Sequence, residues 1–168
     1  MLEVQPLREF SVQDEQALVR RAQRGDKEAF ADLYESYFDK VYRYLTLKTG
    51  SRAEAEDMTQ QVFVKAYRSI RSFKWKGPPF SSWLFRIAHN LMVDFFRRQA
   101  RRPTVPLNES LATGGEDPMK VVELRFDVER VAAATRRLTD AQREVISLRF
   151  AGGLAIAEVA QAMGKSQG

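Results

Sequence analysis

The spacing of apolar residues is the strongest constraint on this chain. From Phe30 they fall at Phe30, Leu33, Tyr34, Tyr37, Phe38, Val41, Tyr42 and Leu45. Those are the i, i+3, i+4, i+7 steps that line one face of a helix. Gly25 breaks the chain before this helix, Asp26 offers an N-cap, and Gly50 ends it. A shorter helix precedes it, from about Asp14 to Arg24. Ser51-Arg52-Ala53-Glu54 has the capping-box form and opens a third helix, with Met58, Val62, Phe63, Ala66 and Ile70 as its buried face. Lys76-Gly77-Pro78-Pro79 must break that helix, because proline supplies no amide donor and restricts the residue before it. A fourth helix is predicted to start near Ser81 or Ser82 and to turn Leu84, Ile87, Ala88, Leu91 and Phe95 inward. No segment sustains period-two alternation, so the class is all-α.

After Arg101-Arg102-Pro103 the composition shifts. Residues 103–127 hold Pro103, Pro106, Pro118, Gly114 and Gly115, with five acids against two bases. This predicts a flexible acidic linker of net charge −3, with a helical start from Pro118. Beyond it, Val128 to Leu138 is predicted helical. Thr139-Asp140-Ala141-Gln142 forms a second capping box for a helix running to about Phe150. Gly152-Gly153 makes a turn, and Ile156 to Met163 forms a short helix ended by Gly164. The expected organisation is two small helical domains, residues 1–102 and 128–168, joined by the linker 103–127.

The chain has 168 residues and no cysteine, which excludes disulfides, thiol chemistry and cysteine-ligated zinc. His89 is its one histidine, so there is little material for a metal site or a histidine-based triad. No nucleophile–base pair, metal cluster or phosphate loop is apparent, and no enzyme activity, metal or cofactor is expected. The longest nearly apolar stretch, Ala151 to Ala157, is far short of the roughly 20 residues that span a bilayer, and no signal peptide is recognisable. A cytoplasmic protein is expected.

Three constellations carry functional information. In the first, Phe73, Trp75, Phe80 and Trp83 cluster around the turn that contains Lys76, and Arg86, Asn90, Arg97 and Arg98 follow along the fourth helix. From Arg86 to Arg102 five arginines face a single acid, Asp94, giving +4 in 17 residues of a chain whose formal charge is +5. Arginines hold phosphates, and loop aromatics stack on unpaired bases for about 1–3 kcal/mol each. Such aromatics also serve as core residues, and an arginine-rich helix end also answers the helix dipole. In the second, the helix through Ala55–Tyr67 places acids in its first turn and adjacent Gln60 and Gln61 mid-helix. That pattern suits an ordinary surface helix or a polar docking face. In the third, Leu138 to Gly168 reads as the first half of a helix-turn-helix, whose recognition helix should begin near Ser166 or Gln167.

In this order and spacing the three constellations resemble the extracytoplasmic-function group of the sigma-70 superfamily, the initiation subunits of bacterial RNA polymerase. The motifs are Ala55–Tyr67 (AEDMTQQVFVKAY), Phe80–Arg98 (FSSWLFRIAHNLMVDFFRR) and Leu138–Gly164 (LTDAQREVISLRFAGGLAIAEVAQAMG). The resemblance implies that residues 1–102 form a region 2-like bundle and 128–168 a region 4-like helix-turn-helix. It implies that Asp57, Gln60 and Gln61 are polar contacts to core RNA polymerase, with Phe63 mainly serving the domain core. It implies that the loop Phe73–Phe80 captures a base flipped from the non-template strand of the minus-ten element, with Asn90 in that pocket. Arg86, Arg97 and Arg98 would hold adjacent phosphates. An anti-sigma factor is the further partner the resemblance implies.

The sequence departs from the family pattern at Ala155, where a capping Ser, Thr or Pro is usual, at an expected cost of about 1 kcal/mol. The sequence also ends at Gly168, before a recognition helix. It therefore reads as a sigma factor cut short within its helix-turn-helix, with an incomplete second core. The alternatives are a polymerase-binding decoy and a stand-alone helix-turn-helix regulator.

Overall fold

The computed structural model describes residues 11–75, 79–101 and 138–164. The expectations for the linker 103–127, for the helix from Val128 and for Lys76 fall outside those residues. Every regular element described is helical: α1 (Val12–Gln23), α2 (Lys27–Thr49), α3 (Arg52–Ser69), a 3-10 turn (Ile70–Ser72), α4 (Phe80–Ala100), α5 (Asp140–Ile146) continued by a π-type turn (Ser147–Ala151), and α6 (Ile156–Ala162). The all-α expectation is borne out.

Local chemistry sets most boundaries. The Asp26 carboxylate caps α2 by accepting from the Glu28 and Ala29 amides, and Gly50 closes it with a left-handed φ of 68° that favours glycine. Ser51 caps α3 by accepting from the Glu54 amide. Glu54 does not return the bond; its carboxylate accepts instead from Gln99 on α4 at 3.3 Å. Thr139 and Gln142 form the full reciprocal capping box on α5. At α6 the cap residue is Ala155, which has no acceptor, and only the reverse half forms: the Ala155 amide donates to Glu158 Oε2 at 2.6 Å.

α4 begins at Phe80, earlier than the expected Ser81 or Ser82. Pro79 stands at its N-cap without a side-chain bond, and both serine hydroxyls serve distant partners. Its inward face also differs. Leu84 and Ala88 are buried as expected, together with Phe85 and Met92, whereas Ile87, Leu91 and Phe95 are half-buried. α4 packs on α3 along one side and on α6 along another, so its buried arc is wider than one partner would require.

The core is continuous across the described residues. Leu33, Val41 and Leu45 of α2 meet Ala55, Val62 and Ala66 of α3 and Leu84 and Ala88 of α4, all fully buried. Leu148, Leu154, Val159 and Ala162 from the C-terminal elements join the same cluster. Each large apolar side chain so buried contributes about 1.5–3 kcal/mol. Gly152 lets the C-terminal turn approach α4. A Cβ there would lie 2.7 Å from the Leu148 carbonyl oxygen and 2.8 Å from Phe85 Cε1.

Candidate functional site

The loop between the 3-10 turn and α4 is rooted in an aromatic cluster. The ring of Phe73 lies 5.1 Å from that of Trp83, 5.8 Å from Trp75 and 5.9 Å from Phe80, and Phe80 lies 5.4 Å from Trp83 and 5.7 Å from Tyr37. Burial divides these four aromatics into two pairs. Phe73 and Phe80 are 8% and 1% exposed, while Trp75 and Trp83 are only partly covered. The two phenylalanines therefore act as a base for the two tryptophans, each of which keeps part of its surface exposed. Gln23, which the sequence did not single out, fastens the loop by donating to the carbonyls of Ile70 (3.0 Å) and Phe73 (2.6 Å). Its position at the end of α1, 50 residues from Phe73, leaves no local signal.

Arg86, Asn90 and Arg97 follow Trp83 along one helical face of α4. Asn90 is exposed and free to meet a solute. Arg97 lies 3.8 Å from the Asp94 carboxylate, and Arg98 donates to the Asp94 carbonyl at 3.2 Å. Both are solvent-exposed contacts of the kind worth at most about 1 kcal/mol, so both guanidiniums remain available to a phosphate. Arg86 is placed differently: its guanidinium donates to the carbonyl of Gln161 at the end of α6.

On α3, Asp57, Gln60 and Gln61 are exposed, and Gln61 donates to the Asp57 carboxylate at 2.7 Å. Phe63 is 4% exposed, with its ring 4.6 Å from Tyr34 and 6.4 Å from Phe38. A shallow groove of about 220 Å³ separates α3 from α4, with Asp57 and Gln61 on one wall and Leu91, Phe95 and Arg98 on the other. The polar docking candidates and the arginine end of α4 therefore border one depression.

A buried cluster escaped the sequence reading altogether. Glu144 of α5 is nearly sealed, yet its carboxylate accepts from Tyr44, from Lys48 Nζ at 2.6 Å, and contacts His89 Nδ1 at 2.9 Å. Burial pushes this carboxyl up, and the bonds from His89, Lys48 and Tyr44 with the Lys48 charge outweigh it, holding the group at about 2. The same burial and the facing carboxylate push the Tyr44 hydroxyl far above its usual range. A second polar group lies at the other end of the contact. Tyr37 donates to Glu15, whose carboxyl is raised by burial, and Ser81 donates to Glu158. Among the described residues no cluster of His, Cys, Asp and Glu could hold a metal ion, and no helix is long and apolar enough to cross a membrane.

Comparison with known proteins assigns both halves of the chain. Residues 33–102 match the family model for sigma-70 region 2, and residues 134–168 match that for sigma-70 region 4. The sigma-E factor of Haemophilus influenzae is 36% identical over 161 residues, covering 89% of this chain and 83% of the relative. The sigma factor BldN of Streptomyces coelicolor is 40% identical over 153 residues, covering 90% of this chain. The aligned part spans 58% of BldN's own length. Among solved structures, CnrH in complex with the cytosolic domain of CnrY superposes with a TM-score of 0.66 at 25% identity, covering 91% of this chain and 84% of that one. These matches define a sigma-70-type transcription factor. The chain belongs to the extracytoplasmic-function RNA polymerase sigma factors, as the sequence resemblance implied.

Proposed function

We propose that this chain is a non-catalytic initiation subunit that binds core RNA polymerase, recognises promoter DNA and opens the minus-ten element. The observation that carries this reading is the pair of partly covered tryptophans, Trp75 and Trp83, standing on buried Phe73 and Phe80, with exposed Asn90 about two turns beyond Trp83 on α4. Flipping a base out of a duplex costs a few kcal/mol of unstacking. Stacking on an aromatic face returns about 1–3 kcal/mol per base, so a base captured by the tryptophan faces is held out without any covalent step. In this reading Asn90 selects the base, Arg97 and Arg98 hold the neighbouring phosphates, and Lys76 and Arg86 add to the same positive field. Phe73 and Phe80 act through the tryptophans they support.

Asp57, Gln60 and Gln61 form the polar face for core polymerase in this reading, with Phe63 fixing their helix from beneath. Residues 1–102 supply polymerase docking and minus-ten recognition, 103–127 the linker, and 128–168 the region 4-like part. The protein works in the cytoplasm and is held in check by an anti-sigma factor. The complex of the similarly folded CnrH with the CnrY cytosolic domain supports a regulatory protein partner of that kind.

In vitro transcription with core polymerase tests the proposal. Trp75→Ala should lower open-complex formation, read by permanganate reactivity of the melted strand, while leaving polymerase affinity within about twofold, since a surface residue outside the docking face contributes little there. Equal loss of both activities would refute the assignment of Trp75 to strand capture.

A further inference from the structure

α1 carries none of the proposed DNA or polymerase contacts, yet it meets the aromatic cluster of Phe73, Trp75, Phe80 and Trp83 at two points. It packs on α2 and reaches both the 3-10 turn and α4. Gln23, its last residue, donates through Nε2 to the carbonyls of Ile70 at 3.0 Å and Phe73 at 2.6 Å. The Phe73 backbone is extended, with φ −64° and ψ 127°, so its carbonyl has no helical amide to accept from. A buried carbonyl needs a donor from elsewhere, and Gln23 supplies it.

Glu15 lies eight residues before Gln23, about 12 Å back along the same helix. Its carboxylate takes a backbone bond from Phe80, the first residue of α4, and accepts from the Tyr37 hydroxyl. Pro79 gives α4 no side-chain cap, so Glu15 offers the first turn the acceptor that a cap residue would have provided. Tyr37 also stands edge-on to the Phe80 ring at 5.7 Å. α1 needs neither side chain for its own winding: Ser11 caps its start, and the Arg24 amide closes its end on the carbonyls of Ala22 and Arg21. The two backbones that α1 holds belong to the two phenylalanines whose rings support Trp75 and Trp83.

We propose that α1 is a splint for the tryptophans: Gln23 and Glu15 are positioning residues that fix Phe73 and Phe80, and through them set how Trp75 and Trp83 meet a base. The inference rests on the reading of those tryptophans as the strand-capture surface. A stacking surface held in its bound geometry avoids the ordering cost that a loose one meets when the base arrives. Loss of the splint therefore weakens capture while every residue that touches DNA is still present.

The test uses the full chain with core polymerase. Gln23→Glu keeps the side-chain shape and replaces the donor with an acceptor facing two carbonyls. It should lower open-complex formation, read by permanganate reactivity, about tenfold, as expected when two hydrogen bonds are lost. Polymerase affinity should stay within about twofold, because α1 lies outside the docking face. Gln23→Lys restores a donor and should recover most of the loss. Glu15→Gln keeps an acceptor for the Phe80 amide and should resemble wild type, whereas Glu15→Ala should behave as Gln23→Glu does. Both tryptophans of the chain belong to this cluster, so unlabelled protein reports it directly. Acrylamide should quench their emission more readily in Gln23→Glu than in wild type or Gln23→Lys. Combined with Trp75→Ala, Gln23→Glu should add little further loss, since it acts through the ring already removed.

Unchanged quenching and unchanged open-complex formation in Gln23→Glu overturn the splint. Polymerase affinity that falls in parallel with opening also overturns it, Gln23 then serving the fold at large. So does full multiplication of the Gln23→Glu and Trp75→Ala losses. If Trp75→Ala leaves opening intact, the strand-capture reading fails and the promoter role of α1 falls with it, whereas quenching still judges whether Gln23 and Glu15 position the tryptophans.

Discussion

Gly152→Ala is the sharpest probe of how the C-terminal elements are seated. The backbone angle is not the obstacle, since φ at Gly152 is −76°. Space is. The new Cβ would stand 2.7 Å from the Leu148 carbonyl oxygen, 2.8 Å from Phe85 Cε1 and 3.1 Å from Leu154 Cδ1. None of these neighbours yields readily. The Leu148 carbonyl accepts from the Leu154 amide at 3.1 Å, and Phe85 is fully buried against Tyr44, their rings 5.6 Å apart and edge-on. Relief from Phe85 must come from lifting the turn off α4, and relief from the Leu148 carbonyl from reshaping the turn itself. Overpacking of this kind costs about 1–3 kcal/mol, and two contacts under 3 Å, one of them to backbone, place this case near the upper end, at about 2–3 kcal/mol. For a chain of this size that lowers Tm by roughly 4–12 °C. Hydrogen exchange localises the effect: amides of 140–164 should exchange roughly 30- to 150-fold faster, while those of α3 stay close to wild type. Gly153→Ala is the control. There φ is +69° and nothing lies within 4 Å, so only the left-handed backbone penalty applies, about 1 kcal/mol. If Gly152→Ala matched wild type in both Tm and exchange, the turn would not be seated on Phe85, and the packing described above would be wrong.

Three further outcomes are expected. The Glu144 carboxyl is held near 2 against an ordinary 4.5, so its contribution is fully present above about pH 4.5 and is lost as pH falls through 2. That contribution is at most about 3 kcal/mol, and comparing acid unfolding of wild type and Glu144→Gln by circular dichroism isolates it, with identical profiles refuting it. Ala155→Ser supplies the missing acceptor at a cap whose backbone is already extended, φ −68° and ψ 158°; slower exchange in α6, equivalent to about 1 kcal/mol, is the expected result. Phe80→Ala removes a ring that is 1% exposed and should cost about 3–5 kcal/mol in denaturant unfolding, and a neutral effect would contradict its place beneath Trp83.

How far the sequence disclosed the structure varied with the range of the interaction. The α2 stripe, the Asp26 cap and the Gly50 stop were all legible, because each is decided within four or five residues. Ser81 and Ser82 marked the expected start of α4, yet neither hydroxyl caps it. Their hydroxyls instead meet Glu158, 77 and 76 residues away, and a partner at that distance overrides the local preference. Phe85 and Met92 were missed because a single inward stripe was assumed for a helix that is covered on two sides. Among the site aromatics, the types and spacing were visible but their division into buried Phe73 and Phe80 and partly covered Trp75 and Trp83 was not. His89 stood out only as unsuited to metal or catalytic work. Its partner Glu144 lies 55 residues on, and Tyr44 lies 100 residues before that glutamate, so periodicity had no means of joining them.

The two carboxylate oxygens of Glu158 have a consequence for order as well as position. Oε2 accepts the Ala155 amide at the start of α6, and Oε1 accepts the Ser81 hydroxyl of α4. α6 has only seven residues, well below the length at which a helix persists alone in water. One side chain thus ties the winding of α6 to its attachment. Pulling the helix from α4 removes the hydroxyl that orients its own N-terminal brace, so departure and fraying become a single event.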